Sequence, residues 1–69
     1  MSDSIYKTID LIGTSETSWE QAATNAVERA GKTLEDLRIA EVRELDLKID
    51  KGKVIAYRAN VRVSFKYRD

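Results

Sequence analysis

The segment TSWEQAATNAVERAG, residues 17–31, reads as a single amphipathic helix. Trp19, Ala22, Ala23, Ala26, Val27 and Ala30 fall at i, i+3, i+4, i+7, i+8 and i+11, one continuous apolar stripe at the helical period. Glu20, Gln21, Thr24, Asn25, Glu28 and Arg29 take the other side. Thr17 with Glu20, and Ser18 with Gln21, form overlapping capping boxes that mark the start. Gly31 marks the stop, since glycine enters the left-handed conformation without a Cβ penalty. Four of the six stripe residues are alanine, so the helix is expected to lie close against a sheet.

The flanks supply that sheet. Residues 5–12 read as a first strand, with Ile5, Ile9 and Leu11 on one face and Tyr6, Thr8, Asp10 and Ile12 on the other. Gly13-Thr14-Ser15-Glu16 then reads as a tight turn into the helix cap rather than a phosphate cradle, because no glycine-rich loop surrounds it. After the helix, residues 32–36 form a polar connection and residues 37–49 a long second strand. Ala40 and Val42 are apolar at even positions, and Ile39, Leu45, Leu47 and Ile49 at odd ones. Asp50-Lys51-Gly52-Lys53 is a hairpin turn signal. Residues 54–68 form the third strand, whose odd face (Ile55, Tyr57, Ala59, Val61, Val63, Phe65, Tyr67) is unbroken apolar and is expected to pack on the helix. With a two-residue loop at Lys51-Gly52, Asp50 pairs with Lys53, and Ala40 and Val42 join the helix-covered core. Leu45, Leu47, Ile49, Val54 and Ala56 then gather on the opposite face, which the helix does not reach. This predicts an α+β fold of β-α-β-β order, with a second molecule covering the exposed apolar face.

Bulk properties agree with self-association. A single domain of 69 residues buries only about 60% of its extended-chain surface and sits near the stability margin. The sequence has no cysteine and no histidine, which removes disulfides and thiolate or imidazole metal sites. Twelve acidic and twelve basic residues balance to zero without long runs of one sign, which argues against a nucleic-acid partner. No apolar run approaches membrane-spanning length, and the opening Met1-Ser-Asp-Ser has no signal-peptide pattern, so a cytoplasmic location is expected.

The same composition excludes cysteine nucleophiles and serine–histidine arrangements, and the protein is read as a non-enzyme. Glu41, Glu44, Asp46 and Asp50 lie along the long second strand. Interleaved with Arg43 and Lys48, they read first as a salt-bridged strand face. They also supply hard oxygen ligands from which a calcium site can be assembled between subunits. Trp19 reads as core or interface. Arg58 and Arg62 stand at i and i+4 on one face of the third strand, and two readings stay open: rim cations, or an anion-binding ring collected from symmetry copies.

The order of elements, the segment LIGTSETSWEQAATNAVERAGKTLEDLR at residues 11–38, the DKG turn, and AYRANVRVSF at residues 56–65 together resemble the dodecins over nearly the whole chain. The resemblance implies a three-stranded antiparallel sheet wrapped around one helix, with twelve copies assembled into a hollow shell. It also implies flavin bound between subunits. Flavin-binding members carry a tryptophan early in the second strand that stacks on the flavin, in a WFEV-like stretch; here that stretch is Ile39-Ala40-Glu41-Val42, so Ile39 takes the stacking position. They carry a glutamine in YQV that hydrogen-bonds the flavin; here it is Tyr57-Arg58-Ala59. A VGF stretch becomes Val63-Ser64-Phe65. The chain thus looks like the branch that keeps the shell and alters the flavin site, with calcium as the proposed ligand. The expectation is a non-catalytic homododecamer storing or binding a small ligand or ion. Storage of FMN or riboflavin in a modified site is the alternative, and a shell without ligand is a third reading.

Overall fold

Strand β1 (Tyr6–Ser15), helix α1 (Trp19–Gly31), strand β2 (Leu37–Asp50) and strand β3 (Lys53–Lys66) follow one another in the computed structural model, which describes residues 5–67. The opening Met1-Ser-Asp-Ser and Arg68, anticipated as the end of the third strand, lie outside the described residues. The sheet is antiparallel throughout with order β1-β3-β2, so the strand with the clearest alternation is central. Ala59, Val61 and Val63 from β3 and Ala22 and Ala26 from α1 form the buried cluster, with Ile9, Leu11, Ala23, Val27 and Leu37 packed around it. The odd face of β3 is the helix-covered face, as its alternation requires.

Small residues let the helix press on the sheet. Gly13 lies within β1, paired with Ala59, and is not part of a turn. A Cβ placed on it would collide with the Ala22 carbonyl oxygen and come within 2.9 Å of Ala26 Cβ. The first strand therefore runs three residues past the anticipated end, through Gly13, Thr14 and Ser15. Ser15 begins the turn chemistry: its Oγ accepts from the Thr17 N–H at 3.0 Å and pairs with Thr17 Oγ1 at 2.8 Å. Ser18 is the N-cap, with extended backbone and its Oγ accepting from the Gln21 N–H at 3.0 Å. Of the two overlapping boxes, Ser18–Gln21 sets the start, and Thr17 is engaged outside the helix.

The helix exit differs from the glycine stop. Gly31 ends the helix without adopting positive φ, and Lys32 caps it in right-handed conformation. The N–H groups of Lys32, Thr33 and Leu34 donate back to the Arg29 and Ala30 carbonyls. The left-handed residue of this connection is Asp36, at φ 60°. At the hairpin, Asp50 pairs with Lys53, and Lys51 and Gly52 both have positive φ (51° and 76°), the signature of a type I′ turn.

The register between β2 and β3 shifts in three places. Arg38 and Arg43 are extra residues in β2, and Ile55 is an extra residue in β3. Around Val42 and again at Asp50 the register is the one the turn dictates. Between the shifts at Arg43 and Ile55 it is displaced by one. Directly opposed residues share a face, so the consequence is definite. Ala40 and Val42, opposite Val63 and Val61, face the helix side as anticipated. Leu45 and Leu47, opposite Ala59 and Tyr57, also face the helix side, and Ile49 with Val54 continues that row. The apolar cluster expected on the opposite face is therefore on the helix face, and only Ala56, opposite Lys48, stays behind. The physical cause is the bulge, which inserts one residue and reverses the alternation after it.

These residues are nevertheless uncovered. A helix of 13 residues spans about 20 Å, whereas a strand of 14 spans about 45 Å. Strand β1 ends opposite Tyr57, so the β2–β3 hairpin projects beyond both as a two-stranded arm. Leu45 and Leu47 stay 50% and 40% exposed, and Ile49 and Val54 at the far end of the row are also exposed. Trp19 ties the base of this arm to the helix. Its indole N–H donates to the Asp46 carbonyl at 3.0 Å, and its ring meets Tyr57 edge-on at 5.2 Å.

Candidate ligand-binding face

The face of the sheet turned away from the helix carries the charge. Even-numbered β3 residues point there, and the register sets neighbours beside each one. Arg62 lies between Asp10 of β1 and Glu41 of β2, Asn60 between Ile12 and Glu44, and Arg58 between Thr14 and Asp46. Without the extra residue at Arg43, Glu41 and Glu44 would stand on opposite faces. The bulge is what lines Glu41, Glu44 and Asp46 along one face.

Two bidentate ion pairs cross this face. Arg62 donates through Nε and Nη2 to Asp10 Oδ1 and Oδ2 at 2.8 and 3.2 Å. Arg58 does the same to Asp46 at 2.7 and 2.8 Å. Hydrogen bonds from the guanidinium are the largest cause holding each aspartate below its ordinary carboxyl range; partial desolvation opposes them and Coulomb attraction adds to them. Arg43 reaches Glu41 at 3.3 Å in an exposed pair. Asn60 is different: its Oδ1 is buried and accepts no hydrogen bond. Asn60 also lines a hollow of about 310 Å³ together with Asp10, Arg43, Glu44 and Arg62.

The residues singled out from the sequence are distributed unevenly over this face. Ile39, opposite Ser64 and 67% exposed, and Arg58 share it but are six residues of β3 apart, roughly 20 Å at the rise of a strand. Any one ligand touching both positions draws them from different copies of the chain. Glu41, Glu44 and Asp46 follow one another along β2, while Asp50 stands at the hairpin tip opposite Lys53. Among the described residues, no three acidic side chains converge closely enough to hold a metal ion within one chain. Asp10 and Asn60 were not legible as site residues, because β1 is far from β3 in sequence and only the strand order sets them side by side. The pattern Arg58-x-Asn60-x-Arg62, a lone amide between two cations on one strand face, was the available signal.

These features define a small α+β protein with a three-stranded antiparallel sheet over one helix, an uncovered apolar arm and a charge-lined outer face. The dodecin family model matches residues 5–68, and the chain belongs to the dodecin family. It is 54% identical over 65 residues to the calcium dodecin of Mycobacterium tuberculosis, covering 94% of this chain and 92% of that one. That protein's crystal structure, described as a calcium-chelating antigen with a novel calcium-binding site, superposes with a TM-score of 0.82 over 93% of this chain and 91% of its own. The Thermus thermophilus dodecin is 37% identical over 65 residues, 94% of each chain. The dodecin of Streptomyces coelicolor, 32% identical, superposes with a TM-score of 0.90 over 100% of this chain and 99% of its own.

Proposed function

We propose that this protein is a non-catalytic binding protein of the cytoplasm, assembled from twelve copies into a hollow shell, that holds calcium on the outer face of its sheet. The observation that carries the reading is the bulge at Arg43, which brings Glu41, Glu44 and Asp46 onto one face. Similarity at 54% identity to a calcium dodecin supports the choice of ion. The donor set fits it: calcium takes six to eight oxygens in flexible geometry, and carboxylates with an amide carbonyl are oxygens of that kind. The orphaned Oδ1 of Asn60, buried on this face, is an acceptor in want of a partner. Because no three carboxylates meet among the described residues of one chain, the coordination shell is completed by water and by neighbouring copies. Assembly and binding are then linked, each stabilising the other by mass action.

Titration calorimetry on the assembled protein tests this, with calcium and magnesium chloride in parallel. Binding of calcium in preference to magnesium is expected, since the smaller ion demands near-ideal octahedral geometry that a strand face does not preorganise. Absence of heat and of any thermal shift at millimolar calcium would overturn the calcium reading.

A further inference from the structure

We propose that Trp19, Asp46, Tyr57 and Arg58 form one clamp through the sheet, which sets the angle of the hairpin arm and couples the outer face to assembly. The proposal rests on the self-assembly proposed above and adds the residues that hold the arm in the pose assembly needs.

The four residues close a circuit. The Trp19 indole N–H donates to the Asp46 carbonyl oxygen at 3.0 Å. The Asp46 carboxylate accepts from Arg58 Nε and Nη2 at 2.7 and 2.8 Å on the outer face. Arg58 follows Tyr57 in the chain, and the Tyr57 ring, on the helix side, meets the Trp19 ring edge-on at 5.2 Å. Asp46 is thus held by its carbonyl and by its carboxylate at once, the first hold coming from α1 and the second from β3. Local sequence builds this corner. Ser15 Oγ accepts from the Thr17 N–H and Ser18 caps the helix, so the chain turns back directly after β1 and sets Trp19, the first helical residue, against Tyr57.

Its place in the fold gives the circuit its role. Thr14 opposite Arg58 and Ser15 opposite Tyr57 are the last pairs of β1, so the third strand ends where the clamp stands. From Lys48 and Ala56 onward the hairpin runs on two strands. A two-stranded ribbon is marginal alone and needs a helix or a further strand to hold it. Here an indole from the helix takes that part. Leu45 and Leu47 flank Asp46 in the chain, so the direction of the apolar row follows the pose of this residue. Releasing Arg58 frees the Asp46 side chain, lets the strand rotate there and draws the carbonyl off the indole. A ligand that engages Arg58 or Asp46 on the outer face is thereby felt by the arm on the other. Arg62 is the internal comparison: it lies on the same face in the same kind of bidentate pair, but its partner Asp10 belongs to β1, away from the arm.

The experiment is a pair of double-mutant cycles on the full chain, Trp19→Phe with Arg58→Gln and Trp19→Phe with Arg62→Gln, at one fixed protein concentration. Circular dichroism in urea gives the unfolding midpoint, and light scattering gives the particle mass. Trp19→Phe keeps a ring against Tyr57 and removes the N–H. It is expected to lower the midpoint by about 0.5 M urea, one hydrogen bond at the slope of a small protein. Trp19→Phe with Arg58→Gln is expected to fall no further than the larger single change, because either one opens the clamp, whereas the effects of Trp19→Phe and Arg62→Gln are expected to sum. Trp19→Phe and Arg58→Gln are each expected to release subunits at lower urea than Arg62→Gln does. Trp19 is the sole tryptophan, so its emission is expected to move to the red in Arg58→Gln and to stay at the native wavelength in Arg62→Gln. Additivity in both cycles, equal coupling in both, or emission unmoved by Arg58→Gln would overturn the clamp. Release of subunits by Arg62→Gln at the same urea, or a folded monomeric native chain, would overturn the link to assembly, and the cycles would still decide the clamp. Should Trp19→Phe fail to fold, the emission of Arg58→Gln against Arg62→Gln decides it.

Discussion

A Cβ built at Gly13 would run into the Ala22 carbonyl oxygen and stand 2.9 Å from Ala26 Cβ, so the close approach of the helix to β1 depends on this glycine. Gly13→Ala is expected to destabilise the fold by about 1–3 kcal/mol, the usual range for overpacking a close contact, and a thermal melt reads it directly. Ile39 and Arg58 act at the same scale on ligand choice. An aromatic pair contributes about 0.5–1.5 kcal/mol beyond area burial, and an isoleucine at the stacking position supplies area alone. Arg58 offers donors but no acceptor, and it is already engaged with Asp46. Flavin affinity is therefore expected to be weak, with FMN bound better than riboflavin because its phosphate can pair with the guanidinium. Quenching of flavin fluorescence checks this, and Ile39→Trp with Arg58→Gln is expected to restore binding. Tight riboflavin binding by the native chain would contradict the assignment of these two positions.

Among the elements, the two hairpin ends and the two cross-strand ion pairs respond to different perturbations. The type I′ turn places Lys51, a residue with a Cβ, at φ 51°. Lys51→Asn is expected to stabilise the hairpin by up to about 1 kcal/mol, since the left-handed region disfavours most side chains by roughly 1–2 kcal/mol and asparagine least among non-glycine residues. Denaturant midpoints measure it. The pairs Asp10–Arg62 and Asp46–Arg58 give an acid limb instead. Both aspartates sit below their ordinary value of 3.8 in the folded state, first because a guanidinium hydrogen-bonds each. A depressed folded pKa contributes stability that is complete above the ordinary value and is lost as pH falls through the folded one. Stability from these pairs is thus expected to hold from neutral pH down to about the ordinary carboxylate range and to decline only below it. Replacing both arginines with glutamine should flatten that decline, and unfolding curves at stepped pH test it. Both pairs are substantially solvent-exposed, so the effect is modest and reduced by salt.

At the scale of the molecule, the mismatch between helix and hairpin governs association. The single chain extends 55 Å along its long axis against 20 and 16 Å across, and the projecting arm exposes Leu45, Leu47, Ile49 and Val54 in one row. A monomer of this size with such a row uncovered is marginal, so folding and assembly are expected to be coupled. Leu47→Lys places a charge in that row and is expected to lower the particle mass and the unfolding midpoint together. Light scattering combined with a thermal melt reads both. A folded, monodisperse monomer of the native chain would show that the row needs no partner.

The order β-α-β-β, the helix with a hydroxyl cap at Thr17 or Ser18, the two-residue hairpin at Lys51-Gly52 and the helix-facing side of β3 were determined by the sequence itself. Each depends on local chemistry: a period of 3.6 or 2, a cap hydroxyl, a pair of turn residues. The carboxylates of β2 were legible as a group for the same reason. What the tertiary structure decided was how the strands meet. Placing β1 on β3 set Asp10 beside Arg62, and no short-range pattern encodes that neighbour. The extra residues at Arg43 and Ile55 moved Leu45 and Leu47 to the helix side and brought Glu41 into line with Glu44 and Asp46. A bulge leaves almost no trace in composition, because it is one inserted residue whose position is chosen by the twist and packing of both strands. Alternation read along a single strand is correct on either side of it and reversed across it.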